Sequence, residues 1–240
     1  MKADFSLNLY SAEQVKQGEV VAAQQAKISM YTLMERAGSV VFKRILDTFS
    51  SLHSMTVLCG GGNNGGDGYV VARLAKEQGI KVSLYHCGDS SKLTGDAKTA
   101  MQPWLHAGGT IQSSEKLISK HNLGSATCKS PVFDNEIIVD AILGTGLSGR
   151  VRSDIGQLIE LVNQTQLPVF SVDVPSGLCA NTGAVLGNCI KATKTITFIG
   201  CKKGLVTGQA RAFVGELSFE GLGVEEYFAK ATPTSIHQID

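Results

Sequence analysis

Apolar residues along this chain fall into two patterns. Short apolar and β-branched runs at 56–59, 81–85, 136–140, 167–173, 195–199 and 216–219 have the length and composition of strands. Elsewhere apolar residues recur every three or four positions. Leu33, Met34, Ala37, Val40, Val41, Ile45 and Phe49 form one such series, and Ile155, Leu158, Ile159 and Val162 form another. Both stretches are expected to be helices with one buried face. Ser11 with Gln14, and Thr32 with Glu35, have the spacing of capping boxes. The first predicts a helix to about Ala26, and Ser153 is expected to cap the helix of Ile155. A helix opened by Gly95-Asp96-Ala97 should kink or break at Pro103, with Trp104 and Leu105 packed inward and Gly108-Gly109 at its end. Residues 125–135 read as a loop, and the polar tail 231–240 as mobile. Strands alternating with helices predict an α/β fold. It has a mostly parallel sheet with helices on both faces, right-handed connections and a helical N-terminal arm.

One stretch stands out within this pattern. Thr56-Val57-Leu58-Cys59 leads into Gly60-Gly61-Gly62-Asn63-Asn64-Gly65-Gly66-Asp67-Gly68, after which 69–76 reads as a helix. A loop stripped of Cβ atoms ahead of a helix lets a ligand approach the backbone, with free N–H groups and the helix dipole facing an anion. Gly60, Gly62 and Gly65 match the G-x-G-x-x-G spacing of dinucleotide turns. Two features depart from an ordinary dinucleotide site. Asp67 puts a negative charge where a pyrophosphate would sit, and no acid closes 81–85, where a ribose-binding carboxylate belongs. Asp67 is then either a helix N-cap or a carboxylate held at a ligand site beside a cation.

Composition narrows the field. A length of 240 residues, 43% of them apolar, suits one large α/β domain. A net charge of +1 gives no basic surface for nucleic acid or an anionic membrane. No signal peptide is expected from the polar N-terminus, and no run of about 18 apolar residues suggests a membrane span. Six cysteines without a C-x-x-C pair fit a reduced, cytoplasmic protein and argue against structural zinc. There is no G-x-S-x-G elbow and no P-loop, and the histidines at 53, 86, 106, 121 and 237 are scattered.

Carboxylates remain for the chemistry. In an open parallel sheet, ligands bind outside the carboxyl ends of the strands. Three loops fall there, and each carries an aspartate: 60–67 with Asp67, 140–150 with Asp140, and 173–177 with Asp173. The three would repel one another, so Arg150, backbone N–H groups or a bound cation must offset them. Their oxygen donors favour an alkali or alkaline-earth ion over zinc. Asn63 and Asn64 are either turn formers or ligand contacts. Asp173, placed rigidly at a strand end, is the first choice as general acid or base.

Gly60 to Gly68, Asp140-Ala141-Ile142-Leu143-Gly144-Thr145-Gly146-Leu147 and Asp173-Val174-Pro175-Ser176-Gly177 together resemble the YjeF N-terminal domain family, the NAD(P)HX epimerases. The resemblance extends to Ser11-Ala12-Glu13-Gln14, Leu33-Met34-Glu35-Arg36-Ala37-Gly38 and Thr195-Ile196-Thr197-Phe198, with Lys202 and Gly204-Leu205 after it. It implies a Rossmann-like three-layer α/β/α sandwich, often dimeric, over residues 1–230, with 231–240 as the start of a linker. It also implies epimerisation of the R and S forms of NADHX and NADPHX, the hydrates of the reduced nicotinamide ring. The implied partner is an ADP- or ATP-dependent NAD(P)H-hydrate dehydratase, fused or separate. Carried over by motif, Asn63, Asn64, Gly65, Gly66, Asp67, Gly144, Thr145, Gly146, Leu147, Ser148, Gly149, Arg150 and Asp173 would contact the substrate. Asn64, Asp140 and Ser176 would hold a potassium ion. Asp173 would be the proton donor and acceptor, with Lys202 assisting. Two rivals stay open: a Rossmann oxidoreductase, and a non-catalytic nucleotide-binding or interaction module of the same fold.

Overall fold

A computed structural model of the chain describes residues 8–123, 133, 135–234 and 236. The strands are β1 (Leu9–Tyr10), β2 (Ser54–Cys59), β3 (Lys81–His86), β4 (Gln112–Ser113), β5 (Ile137–Ala141), β6 (Val169–Val172), β7 (Lys194–Phe198), β8 (Cys201–Lys202) and β9 (Glu216–Glu220). The helices are α1 (Ala12–Gln25), α2 (Met30–Thr48), α3 (Asn63–Glu77), α4 (Gly95–His106), α5 (Glu115–Leu123), α6 (Ser153–Asn163) and α7 (Glu225–Ala231). Seven strands form one sheet in the order β4-β3-β2-β5-β6-β7-β9, every pair parallel. The chain moves outward from β2 to β4, then returns to β5 and builds the other half. The crevice of such a sheet lies where the direction reverses, between β2 and β5.

Side chains alternate along each strand, so the sheet feeds two cores. Met55, Val57, Ile137, Val139, Phe170, Val172 and Ile196 pack with α2, α3 and α4. Leu58, Ile138 and Val169 pack on the other side with Leu117 of α5 and Ile155, Leu158 and Ile159 of α6. This is the expected three-layer sandwich. No helix among the described residues is long and apolar enough to cross a membrane.

The first capping box forms. Ser11 Oγ accepts from the Gln14 N–H at 3.1 Å, and Gln14 Oε1 accepts from the Ser11 N–H at 2.8 Å. The second does not. Ser29 caps α2 instead, accepting from the Thr32 N–H at 3.0 Å, and Glu35 accepts from Tyr31 and Arg73. Ser29 offers an equivalent cap one turn earlier, so the helix gains a turn. Ser153 is the first residue of α6, one position inside its N-cap Arg152. Pro103 does not end α4, which runs on to His106. Trp104 is buried against Gly109 and anchors the last turn, offsetting the missing N–H. Leu105, 100° further round the helix, is 39% exposed rather than packed inward.

The N-terminal arm is tied down by a second, small sheet. β1 pairs in parallel with β8, placing Tyr10 opposite Lys202. α1 lies against α7, where Phe228 meets Gly18 and stacks edge-on to Tyr10 at 5.0 Å. The chain after α7 returns to β1: the Leu9 N–H donates to the Ile236 carbonyl at 3.0 Å, and Thr234 Oγ1 donates to the Leu9 carbonyl at 2.7 Å. Those bonds hold part of the tail expected to be mobile. Residues 235 and 237–240 of that tail, and all of the expected loop at 125–135 except 133 and 135, lie outside the described residues. Phe228→Ala should remove the fixed seat of α1 and destabilise the protein by about 3–5 kcal/mol, read as a lower denaturant midpoint.

Candidate active site

The site grows from the turn after β2. Here α3 begins at Asn63, well before the expected start at 69, with Gly62 as an N-cap that makes no side-chain bond. Asp67 therefore lies in the second turn and caps nothing. Helix propensity alone disfavours Gly65, Gly66 and Gly68 in such a place, but each faces a close neighbour. A Cβ on Gly65 would lie 1.9 Å from the Gly60 carbonyl oxygen, and one on Gly66 or Gly68 would strike Met34 or Ala141 and Cys59. Gly60 in turn packs on the loop after β5, where its Cβ would lie 1.9 Å from the Ile142 carbonyl oxygen. Tertiary packing has overridden propensity. Gly61 and Gly62 face open space and are exposed, as is Asn63, so the N–H groups at this helix start are available to an anion.

Asp140 sits at the switch point and is fully buried. Strand register puts it beside Ser171, whose Oγ donates to Asp140 Oδ2 at 2.8 Å. The Ser176 N–H donates to the same oxygen at 2.9 Å, while Ser176 Oγ at 2.5 Å and the Ile142 N–H at 3.3 Å donate to Oδ1. Burial pushes this carboxyl above its ordinary value against the pull of those four donors. Among the described residues it has no ion-pair partner. Close by, Gly144 packs on the Asn64 side chain, and the Leu143 N–H donates to Ser176 Oγ at 2.9 Å. Both polar atoms of the Asn64 amide are buried without a partner. An uncompensated buried carboxylate next to an unpartnered amide oxygen and a hydroxyl suits a cation with hard oxygen ligands.

Asp173 follows β6 with φ +64°, a conformation uncommon outside glycine, asparagine and aspartate. Its Oδ1 accepts from Thr197 Oγ1 at 3.0 Å and from Lys202 Nζ. Lys202 is 2% exposed and also donates to Thr197 Oγ1 at 3.1 Å and the Phe198 carbonyl at 2.9 Å. Asp173 Oδ2 accepts from no described residue. Asp67 retains some accessible surface but is closely enclosed. Burial pushes its carboxyl well up, the negative charges of Asp173 and Glu19 add to this, and Lys202 opposes it. The cation acting on this group is thus Lys202. Arg150 stands exposed beside Gly187 instead.

The family described as YjeF-related protein N-terminus matches residues 30–204. The chain belongs to this family. It is 44% identical over 233 residues to the "Bifunctional NAD(P)H-hydrate repair enzyme Nnr" of Vibrio cholerae, spanning 97% of this chain and 44% of that protein. It is 30% identical over 214 residues to the "NAD(P)H-hydrate epimerase" of Legionella pneumophila (strain Corby), spanning 89% of this chain and 77% of that one. The chain therefore covers less than half the length of the bifunctional relative. The crystal structure of yeast ynu0, YNL200c, shares the fold, with a TM-score of 0.72 at 20% identity over 98% of this chain and all of that one.

Within this YjeF-related fold, Asn64, Asp67, Asp140, Gly144, Asp173 and Ser176 gather around the ends of β2, β5 and β6. Thr145, Gly146, Leu147, Ser148, Gly149 and Arg150 form the outer, largely exposed part of the loop after β5, with Leu147 leaning on the second core. Two contributors are absent from the residue pattern of the three loops. Thr197 is a polar position on a strand buried on both faces, which was a legible signal. Glu19 belongs to α1, and its signal was an acid amid the buried Val15, Gly18, Ala22 and Ala23.

Proposed function

We propose that the chain interconverts the R and S forms of hydrated NADH and NADPH. The observation that carries this reading is Asp173, fixed at a left-handed turn by Lys202 and Thr197 with one carboxylate oxygen unclaimed. The name of the Legionella relative, most of whose length the chain spans, supports the same activity. In this reading the pyrophosphate lies at the start of α3, on Gly61, Gly62 and Asn63. Residues 144–150 pass along the dinucleotide, and the hydrated ring reaches Asp67 and Asp173.

The chemistry needs proton transfer and no redox step. The hydroxyl on C6 departs as water when its oxygen takes a proton, while the ring-nitrogen lone pair closes a C=N bond. Water then adds to C6 from the other face, returns that electron pair to nitrogen and gives up a proton. Asp173 handles the proton, and Lys202 orients its carboxylate. Asn64, Asp140 and Ser176 would hold a potassium ion, which when bound neutralises the buried Asp140 charge and stiffens the loop of Gly144. Asn64→Ala should raise the potassium concentration needed for half-maximal rate by about 10-fold or more. The reading also includes a cytoplasmic homodimer and a dehydratase, fused or separate, that consumes the S form.

The test follows separated epimers by chromatography in potassium buffer and then in a buffer of another cation. Accelerated interconversion that weakens without potassium supports both the activity and the ion site. No acceleration by folded protein in either buffer overturns the activity.

A further inference from the structure

β6 and β7 end in the same way, one strand apart. The Val174 N–H donates back to the Val172 carbonyl at 2.8 Å around Asp173, and the Gly200 N–H donates back to the Phe198 carbonyl at 2.6 Å around Ile199. The two central residues have φ +64° and +65°. Both turns are therefore γ-turns of the rare, strained kind with a left-handed centre. Each central N–H is pinned on the next strand. That of Asp173 donates to the Ile196 carbonyl at 2.8 Å, and that of Ile199 to the Glu220 carbonyl at 2.9 Å. Aspartate visits this backbone region with some ease, but a β-branched residue there is an outlier. Ile199 holds the conformation while 4% exposed, packed in the core it shares with α2 and α3. We propose that Ile199 is a positioning residue of the site: its turn holds the Phe198 carbonyl as the last acceptor of Lys202, and Lys202 in turn fixes Asp173. The effect of this on rate rests on the epimerase reading.

A buried ammonium has three N–H donors to satisfy. Lys202 gives them to Asp173 Oδ1, to Thr197 Oγ1 at 3.1 Å and to the Phe198 carbonyl at 2.9 Å. The last of these depends on the turn. Along a strand in a parallel sheet, alternate carbonyls face the same neighbour. The Ile196 carbonyl faces β6 and accepts from the Asp173 N–H. The Phe198 carbonyl, two residues on, faces the same way. The next donor in that ladder would be residue 175, which is a proline and has no N–H. The carbonyl is thus left over by the sheet and must find partners elsewhere. The turn at Ile199 brings it the Gly200 N–H and leaves its other lone pair to Lys202. The turn is also held from outside. A Cβ on Gly200 would lie 2.9 Å from Phe228 and 3.0 Å from Tyr10, and Tyr10 pairs with Lys202 across β1 and β8. Turn, ammonium and Asp173 form one packed unit, in which Asp173 Oδ1 is committed and Oδ2 is aimed. A shift of about 1 Å in such a group can cost about 100-fold in rate.

The test compares Ile199→Ala with Ile199→Gly. Both empty the same part of the core, but only glycine adopts a left-handed φ without cost. A side chain that merely fills space would rank alanine above glycine, whereas one that holds the turn ranks glycine above alanine. Ile199→Ala should lower kcat for epimer interconversion about 10-fold or more with KM within about threefold of wild type, and Ile199→Gly should recover most of that rate. Tm should follow the same order. Lys202 supplies a readout that needs no substrate. In isotopically labelled protein the NMR signal of its ammonium, assigned by its loss in Lys202→Met, should be sharp in wild type and Ile199→Gly and broadened by solvent exchange in Ile199→Ala. An Ile199→Ala rate equal to wild type, equal rates and Tm in the two variants, or an ammonium signal as sharp in Ile199→Ala as in wild type overturns the role of Ile199 and leaves the epimerase reading standing. Wild type that leaves the epimers at their spontaneous rate overturns the epimerase reading, and the order of the ammonium signals still decides whether the turn holds Lys202.

Discussion

Asp173→Asn should stay folded and lose about 10²- to 10⁴-fold in epimerisation rate. The backbone argues for the first half. Asp173 has φ +64°, and asparagine is among the few residues that tolerate this region. The amide oxygen can still accept from Thr197 and Lys202, so the 2% exposed Lys202 keeps a polar partner. The chemistry argues for the second half, since an amide neither gives nor takes a proton near neutrality. Asp173→Ala would be a poorer test. It strands a buried ammonium, a change of the kind that costs about 3–5 kcal/mol, and so mixes unfolding with lost chemistry. The measurements are epimer exchange rate, ligand affinity and Tm on one preparation. A rate within about threefold of wild type would remove Asp173 from proton transfer.

Gly65→Ala should be among the most damaging single methyls in the site. The added carbon would lie 1.9 Å from the Gly60 carbonyl oxygen, a backbone atom that cannot swing aside. Either α3 shifts or the turn after β2 opens, and both displace Asn64 and the exposed N–H groups beyond it. Overpacking of this kind costs about 1–3 kcal/mol or more, and each kcal/mol lowers Tm by about 2–4 °C in a domain of this size. Ligand affinity should fall with it. Gly61→Ala, whose Cβ meets nothing within 4 Å, should keep wild-type Tm. Equal Tm values for Gly65→Ala and wild type would contradict the close packing of the two loops.

The layers were legible where a side chain's burial follows directly from periodicity. The apolar runs at 136–140 and 167–173, and the helical series from Leu33, pointed to the sandwich and put Asp140 and Asp173 at strand ends. Three features were not legible because they depend on contacts distant in sequence. The start of α3 lies at Asn63 because Gly60, Met34 and Ala141 crowd the glycines, an effect no local propensity contains. β1 and β8 are two residues each, and their pairing joins stretches far apart in sequence, beside the contact of Tyr10 with Phe228. Glu19 was hidden for the same reason: the β1–β8 pairing, the packing on α7 and the Ala12–Asn181 hydrogen bond that seat α1 all join stretches distant in sequence. The ion site was foreshadowed by the surplus of aspartates. What the structure adds is that the surplus is divided. Lys202 answers Asp173, while Asp140 is left with hydrogen bonds alone.

The most direct measurement is a time course on pure S epimer of NADPHX in potassium buffer with catalytic amounts of protein. The account predicts that R epimer appears well above the spontaneous rate, in proportion to protein concentration, until the two forms reach equilibrium. Folded protein that binds the hydrate and leaves the rate at its spontaneous value would contradict it and mark the chain as a binding module.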